Sequence, residues 1–307
     1  MLSRQYREKF SDYRHWDQLE HADQYVLYPK NLGPNLAIDE TCLSCGEVYT
    51  IVTNRDAHGR KGSLIAVIRG TLSDTLIAIL EKIPEYRRKK VKEITTDLSP
   101  SMMRTARRCF PKAIITNDRF HVHKLYYEAI DELRISLRWM ARDIENAEME
   151  RCRKEGIQYV PFRYANGDTR KQLLARAKHI LAKHHTRWTP SQKHRADIIF
   201  EFYPTLKKAY GLAMELTDIF NKKSDKDQAR LNLARWYDRV DNLEMGQFKT
   251  VTDTFRNHYD TILNFFIYRS TNAGAESFNA KVKAFRSQFR GVKDIPFFLF
   301  RLSKLCA

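Results

Sequence analysis

The segment that decides the fold lies at residues 35–70 and reads NLAIDETCLSCGEVYTIVTNRDAHGRKGSLIAVIRG. Three runs within it, at 36–39, 48–53 and 64–68, are rich in apolar and β-branched residues. Short polar stretches that contain glycine separate these runs. Because strands of this composition joined by tight turns pair with their neighbours in sequence, the segment predicts an antiparallel meander of three strands.

The chain after the meander alternates helical and extended patterns. Residues 73–83 have the spacing of a helix with one apolar face, and residues 91–96 form another extended run. Ser-Pro opens a second predicted helix at 99–109, and residues 113–116 form a last short extended run. The order of elements predicts a mixed α/β sheet.

From about residue 121 to residue 264 the extended patterns disappear. Long charged stretches with helical periodicity replace them, for example at 124–150 and 191–220. We therefore predict a long all-α insertion between the sheet and the C-terminal segment. The predicted domains are an N-terminal extension (1–34), the first part of the core (35–123), the helical insertion (124–264) and the C-terminal helices of the core (265–307).

The composition points to a folded protein with a polyanionic partner. Of the 307 residues, 43% are hydrophobic, and 54 Lys and Arg against 37 Asp and Glu give a net charge of +17. A charge of this sign favours nucleic acid as the partner. No apolar run approaches the ~18 residues of a membrane span, and the five cysteines are sparse. We expect a cytoplasmic, nucleoid-associated protein without a membrane partner.

Three acids lie at positions where α/β proteins place active sites. Asp39 and Asp97 follow extended runs, and Glu276 begins a predicted helix. If the two strands are neighbours, their carboxylates project side by side, and a divalent cation offsets the repulsion between them. With the helix carboxylate they would hold two Mg²⁺ or Mn²⁺ ions, a pair that acts on phosphodiesters. Taken singly, each acid has the plain alternative of a turn or cap residue.

The predicted helix around Glu276 adds polar groups on one face. Asn272 is a candidate N-cap, and Glu276, Asn279 and Lys283 share one face by their spacing. An acid, an amide and a cation in one stripe suit a phosphodiester. The plain alternative for Lys283 and Arg286 is a solvated helix face.

Four segments together resemble the DDE transposases of bacterial insertion sequences, and most closely the ISL3-like group. They read AIDE (37–40), EITTDLSPSM (93–102), FPKAIITNDRFHV (110–122) and STNAGAESFNAKVKAF (270–285). The resemblance implies an RNase H-like mixed sheet core, interrupted by the helical insertion. It makes Asp39, Asp97 and Glu276 the catalytic and metal-binding acids. It also makes Asp118 a secondary acid that supports the site or contacts DNA.

The same resemblance suggests which residues contact DNA. Tyr268, Arg269, Glu276 and Lys283 are similar to the tyrosine–arginine–glutamate–lysine signature of cut-and-paste transposases. His121 is placed to contact DNA or the site, with packing at a helix start as the alternative. The residues expected to bind DNA are Arg119, His121, Arg269, Asn279, Lys283 and Arg286.

The expected function is therefore that of a transposase catalytic subunit. It would hydrolyse phosphodiesters at insertion-sequence ends with Mg²⁺ or Mn²⁺ and transfer the strands to target DNA. About 35 residues precede Asp39, fewer than the N-terminal DNA-recognition region of related transposases needs. We therefore expect a separate end-recognition protein, and by analogy a homodimer in the DNA complex. The alternatives are an RNase H-like nuclease that joins no strands and a catalytically silent DNA-binding relic.

Other motifs have simpler interpretations. Cys42 and Cys45 form one CxxC without a second ligand pair, which predicts a turn rather than a zinc site. Trp188 follows a run of cations, which suits base stacking, although a core position is the more ordinary interpretation. Trp139 and Trp236 are expected in the core of the insertion.

Overall fold

The computed structural model describes residues 5–44, 46–269, 273–288 and 294–307, without the side chains of Ser44, residues 273–276 and Gln288. The chain divides into two compact units. The first comprises Met1–Phe120 and Asp260–Ala307, and the second comprises His121–Tyr259.

The first unit contains a six-stranded sheet of order β1-β4-β3-β2-β5-β6. The strands are β1 (Tyr25–Leu27), β2 (Asn35–Ser44), β3 (Glu47–Asn54), β4 (Leu64–Arg69), β5 (Glu93–Thr96) and β6 (Ile114–Asn117). Neighbours from β1 to β2 are antiparallel, whereas β5 is parallel to both β2 and β6. The predicted meander (β2, β3, β4) and the mixed α/β class are confirmed.

The described helices alternate with these strands in the first unit and make up most of the second. In chain order they are α1 (Ser73–Leu80), α2 (Glu85–Arg88), α3 (Pro100–Cys109), α4 (Arg119–Glu155), α5 (Arg170–Leu181), α6 (Pro190–Phe202), α7 (Pro204–Asn221), α8 (Lys226–Asp241), α9 (Gly246–Leu263), α10 (Phe265–Tyr268), α11 (Ala273–Gln288) and α12 (Ile295–Cys306). None of these helices combines the length and the apolar character that a membrane span requires.

One face of the sheet is mainly apolar. It presents Leu36 and Ile38 of β2, Ile94 of β5 and Ile115 of β6. Helices α1 and α3 cover this face, with Leu76, Leu80 and Met102 among the side chains that pack on it. Because side chains alternate along a strand, the intervening residues of β2, β5 and β6 lie on the opposite face.

The opposite face is covered by α11 and α12 over β3 and β4. Phe278, Val282, Phe285, Phe298, Leu299 and Leu302 pack there against Tyr49, Ile51, Leu64 and Val67. This contact is an ordinary hydrophobic core, so it holds the two helices firmly on one half of the sheet.

The N-terminal segment is part of the first unit rather than a loose extension. Strand β1 adds an edge strand to β4, which sequence analysis missed because three residues are too few to show an alternating pattern. Trp16 packs edge-on against Phe300 with ring centroids 5.5 Å apart, and Arg7 pairs with Asp294 at 2.6 Å.

The second unit has a core built from aromatic side chains. Trp236 is fully buried, contacts Tyr126 and Phe255, and donates its indole N–H to the carbonyl of Leu212 at 2.8 Å. Its predicted core position is confirmed. The stretch of helical periodicity at 191–220 is divided into α6 and α7 at Pro204, because proline cannot donate the backbone hydrogen bond that would continue α6.

The other two tryptophans of the second unit differ from Trp236. Trp188 is half-buried, donates to the carbonyl of Ile180 and stacks on Tyr210 with centroids 5.3 Å apart, so it packs rather than offering a free ring. The expected core position of Trp139 is wrong: its side chain is exposed on α4 beneath the guanidinium of Arg142.

Candidate functional site

The strand registers bring three of the predicted acids to one level of the sheet. The parallel pairing of β2 with β5 matches Ala37 to Thr95, so two residues further on Asp39 is level with Asp97. The pairing of β5 with β6 matches Thr96 to Asn117, so Asp97 is level with Asp118. Asp97 and Asp118 directly follow β5 and β6. The two-residue period of side chains predicts that both carboxylates lie on the same side of the sheet as Asp39, the face that α11 covers over β3.

Asp39 departs from its predicted position in one respect. It is not at the end of its strand but midway along β2, which continues to Ser44. The pairing of β2 with β5 ends before Asp39. The pairing of β2 with β3 continues past Asp39 and fixes its backbone. The carboxylate is thus held on a rigid strand at the point where the sheet opens beside it.

Helix α11 meets Asp39 directly. The Asn279 amide donates from Nδ2 to Oδ2 of Asp39 at 2.6 Å, and the backbone N–H of Glu40 donates to Oδ1 at 2.8 Å. The sequence predicts that Asn279 contacts DNA, whereas in the structure its partner is a protein carboxylate. The contact fixes the orientation of the Asp39 carboxylate.

Glu276 is three residues before Asn279 in the same helix. Residues at this spacing occupy the same face of a helix, so its backbone position is on the face of α11 that meets β2. The side chain of Glu276, and Asn272 with its predicted capping role, lie outside the described residues.

Asp97 and Asp118 have local roles as well. Oδ1 of Asp97 accepts from the backbone N–H of Ser99 at 2.8 Å, and Oδ1 of Asp118 accepts from that of Phe120 at 3.2 Å. For Asp97 this is the turn or helix-entry role that the sequence leaves open as the plain alternative. These contacts do not exclude a ligand role, because each carboxylate oxygen has more than one lone pair.

A buried polar cluster adjoins the acids on the same face. Glu93 is 1% exposed, its Oε2 accepts from Arg55 at 2.8 Å, and its Oε1 accepts from the Thr116 hydroxyl at 3.0 Å. Arg55 also donates to the hydroxyl of Thr95. This cluster is not predicted from the sequence. The polar residues of Glu-Ile-Thr-Thr-Asp at 93–97, in a strand that is buried on both faces, are the signal that could have indicated it.

The predicted DNA-binding residues are distributed unevenly. Arg119 and Arg269 both lie over the ring of Phe265, with guanidinium carbons 6.0 and 5.6 Å from its centre. His121 is the third residue of α4, in the second unit.

The cations of α11 differ from each other. Lys283 is exposed, whereas Arg286 donates to the carbonyl of Cys42 in β2 at 3.1 Å and thereby ties the helix to the sheet. Of the CxxC motif, Cys42 is exposed in β2 and Cys45 lies outside the described residues.

The described side chains form no complete metal site by themselves. Within them, no three His, Cys, Asp or Glu side chains form a group that could hold an ion. The chemistry of the acids nevertheless fits Mg²⁺, which binds in proteins through one or two carboxylates and fills its other positions with water and substrate phosphates. Asp39 in β2 and Asp97 directly after β5 are carboxylates of the kind that such a site requires.

Comparison with protein families identifies the family of the chain. The family model described as transposase, of the ISL3-like DDE class, matches residues 36–302. The chain belongs to this family, and it is accordingly a DNA-binding, nucleic-acid-processing enzyme with a transposase function. No curated protein and no solved structure matches it.

Proposed function

We propose that the chain is the catalytic subunit of a transposase that cleaves DNA at insertion-sequence ends and joins the ends to target DNA. The observation that carries the proposal is the register of β2, β5 and β6. It places Asp39 in β2 level with Asp97 and Asp118, which directly follow β5 and β6, beside the helix that bears Glu276. In α/β enzymes, ligands bind at the carboxyl ends of the parallel strands, and Asp97 and Asp118 follow such strand ends.

Asp39, Asp97 and Glu276 would hold Mg²⁺ or Mn²⁺, two ions per site, with Asp118 in a supporting role. Such ions polarise a phosphodiester oxygen and activate a water or a 3′-hydroxyl for in-line displacement. Asn279 keeps the Asp39 carboxylate in one orientation by its 2.6 Å hydrogen bond. Orientation of a ligand by a second group is worth about 10- to 100-fold in metal affinity or activity.

The cations near the acids would neutralise the DNA backbone. Arg119 and Arg269 share the ring of Phe265, which limits the freedom of both guanidinium groups. Lys283, on α11 one turn beyond Asn279, offers a mobile ammonium to a flanking phosphate. Together they suit a substrate whose charge is spread along a chain of phosphates.

The proposal extends to the architecture and the partners. The first unit would be an RNase H-like core and the second unit its insertion, with domain limits near the predicted 123 and 265. Duplex DNA, both transposon ends and target, would be the substrate. A separate protein would recognise the ends, and two copies of the chain would bring two ends together.

The test is a cleavage and joining assay with the purified chain. Duplexes from the two flanks of the gene are incubated with Mg²⁺ and a plasmid, alone and with the product of a neighbouring small reading frame. Asp39→Asn, Asp97→Asn and Glu276→Gln are each expected to lower product formation by about 1,000-fold or more, or roughly 4 kcal/mol of transition-state stabilisation. Non-specific DNA binding should stay within about twofold, because the phosphate contacts that dominate it are unchanged.

The matched control is Asp74→Asn, which neutralises an exposed carboxylate at the start of α1 and should leave cleavage unchanged. Joined products support the proposal. Nicks without joining in the wild type would assign the chain to the nucleases instead. A wild-type chain that binds DNA but cuts none with Mg²⁺ or Mn²⁺ would be a silent relic.

A further inference from the structure

A groove lined by lysines lies at the end of the sheet opposite the acids. Its lining residues are Lys89, Lys90, Val91, Lys92, Lys112, Ile114 and Tyr268, and its volume is about 520 Å³. Lys92 immediately precedes β5 and Ile114 begins β6, whereas Asp97 and Asp118 follow these strands. The groove is therefore separate from the candidate catalytic site.

The scaffold of the groove is rigid. In the sequence Arg88-Lys89-Lys90-Val91-Lys92, Arg88 and Val91 are buried while the three lysines are exposed. The Arg88 guanidinium donates to the carbonyl of Ile83 at 2.9 Å and to that of Cys109 at 2.6 Å. Arg88 thus fastens the loop with Lys89 and Lys90 to the end of α3, beside the turn that carries Lys112.

The groove carries uncompensated positive charge. Lys89 pairs with Glu85 at 2.6 Å, which lowers the pKa of that carboxyl. Lys90, Lys92 and Lys112 form no ion pair with any acid in the described part of the chain. Three exposed ammonium groups held on fixed backbone, next to the exposed ring of Tyr268, favour an anionic partner.

The spacing of the charges indicates which anion. A single phosphate is recognised by a cluster of N–H donors or an arginine fork, whereas these lysines are separate point charges spread along an open groove. Lys92 and Asp97 are five residues apart along β5, or ~16 Å at ~3.3 Å per residue. At ~3.4 Å per base pair, this distance corresponds to about five base pairs of duplex.

We propose that this groove binds the phosphate backbone of duplex DNA about five base pairs from the phosphodiester at the acids. The distance from the reacting phosphodiester rests on the proposed function. The binding of duplex DNA by Lys90, Lys92 and Lys112 does not, because it requires no chemistry at Asp39, Asp97 or Glu276.

The experiment compares two triple variants that each lower the net charge from +17 to +14. The test variant is Lys90→Gln, Lys92→Gln, Lys112→Gln. The matched control is Lys9→Gln, Lys30→Gln, Lys61→Gln, which removes three exposed lysines from other parts of the first unit. Far-UV circular dichroism and the thermal midpoint confirm that both variants fold like the wild type.

The first readout is the affinity for a 40-base-pair duplex as a function of salt. Each lysine–phosphate contact adds about 0.9 to the slope of log K against log salt, so the test variant should lose about 2.7 in slope. It should also bind on the order of 100-fold more weakly at 0.1 M salt, while the control changes little. An equal loss in both variants would overturn the proposal.

The second readout separates duplex DNA from a small anion. If inorganic phosphate at constant ionic strength displaces the duplex from the wild type but not from the test variant, the groove is a small-anion site and the proposal is wrong.

The third readout is cleavage. The test variant should cut duplexes with fewer than about five base pairs beside the cleavage point as fast as the wild type, and longer ones more slowly.

Slower cutting of the short duplexes as well would contradict the proposed distance between the groove and the acids. If the wild type cuts no DNA at all, the proposed function fails. The salt slope still decides the proposal for the groove.

Discussion

The two faces of the sheet in the first unit have different chemistry. The apolar face, formed by Leu36, Ile38, Ile94 and Ile115, packs against α1 and α3. The polar Thr96 and Asn117 lie on this side only at the last residues of β5 and β6. On the other face, the half over β2, β5 and β6 forms what we call the polar patch. It consists of Asp39, Glu93, Thr95, Asp97, Thr116 and Asp118.

Both surfaces belong to the same strands, so the difference is not one of local backbone structure. Burying apolar side chains stabilises the fold by ~25 cal/mol for each Å² removed from water, which accounts for the apolar face. Burying carboxylates and hydroxyls costs free energy unless each finds a partner. A fold has no energetic reason to place acids in a patch of this kind, and the patch therefore indicates where function constrains the sequence.

The largest expected effect on stability concerns the ion pair inside the polar patch. Arg55→Ala leaves Glu93 charged, 2% exposed in its side chain and without its guanidinium, so we expect a loss of about 3 kcal/mol in the free energy of unfolding. Urea denaturation measures it. The double replacement Arg55→Met, Glu93→Met should restore most of the loss, because the uncompensated charge is then absent.

The control for this prediction is an exposed pair on the same sheet. Arg69 and Glu47 are 2.6 Å apart with side chains 52% and 36% exposed, so Arg69→Ala should cost less than about 1 kcal/mol. If both arginine variants lose the same free energy of unfolding, an ion pair in the polar patch contributes no more to stability than one on the protein surface. The difference between the two faces would then be contradicted.

The next effect concerns catalysis rather than stability. Asn279→Ala removes the amide that orients Asp39, and we expect cleavage to fall by about 10- to 100-fold. The Mg²⁺ concentration for half-maximal activity should rise, a change that a merely structural residue would not cause. Ser287→Ala, at an exposed position of the same helix, is the matched control.

Asn279→Asp sharpens this prediction. The new carboxylate lies against Asp39, and two like charges at hydrogen-bond distance repel. Cleavage should therefore fall further than in the alanine variant. Equal Mg²⁺ dependence in the wild type and both variants would mean that Asn279 does not position the acid.

Much of the fold could be predicted from the sequence. The meander, the mixed sheet and the helical character of residues 121–259 follow from periodicities of two and 3.6 residues, which are local properties. The short strand β1 could not be predicted, since its pairing with β4 lies about 40 residues away and three residues carry no pattern.

The candidate site was predictable in part. The extended runs before Asp39 and Asp97, and the order of the four segments, make these two acids candidates, and their role stays a prediction. Their partners were not predictable, because the bonds that hold the site join distant parts of the chain: Asn279 and Asp39 are 240 residues apart, and Arg55 and Glu93 are 38 apart. Such contacts depend on the packing of α11 and the β3–β4 loop, which sequence periodicity does not encode.

The smallest expected effect is the strictest test of the contrast between the faces. Ile94 is fully buried on the apolar face, although Glu93 and Thr95, its neighbours in sequence, belong to the polar patch. Ile94→Val removes one methylene and should cost about 1 kcal/mol of stability in urea denaturation. Cleavage by the folded fraction should be unchanged, because the backbone of β5 is hydrogen-bonded to β2 on one side and to β6 on the other.

Ile79→Val in α1, close to the apolar face but not in the sheet, is the control. If cleavage falls in the Ile94 variant alone, packing on one face sets the geometry of the acids on the other, and the two faces do not act independently.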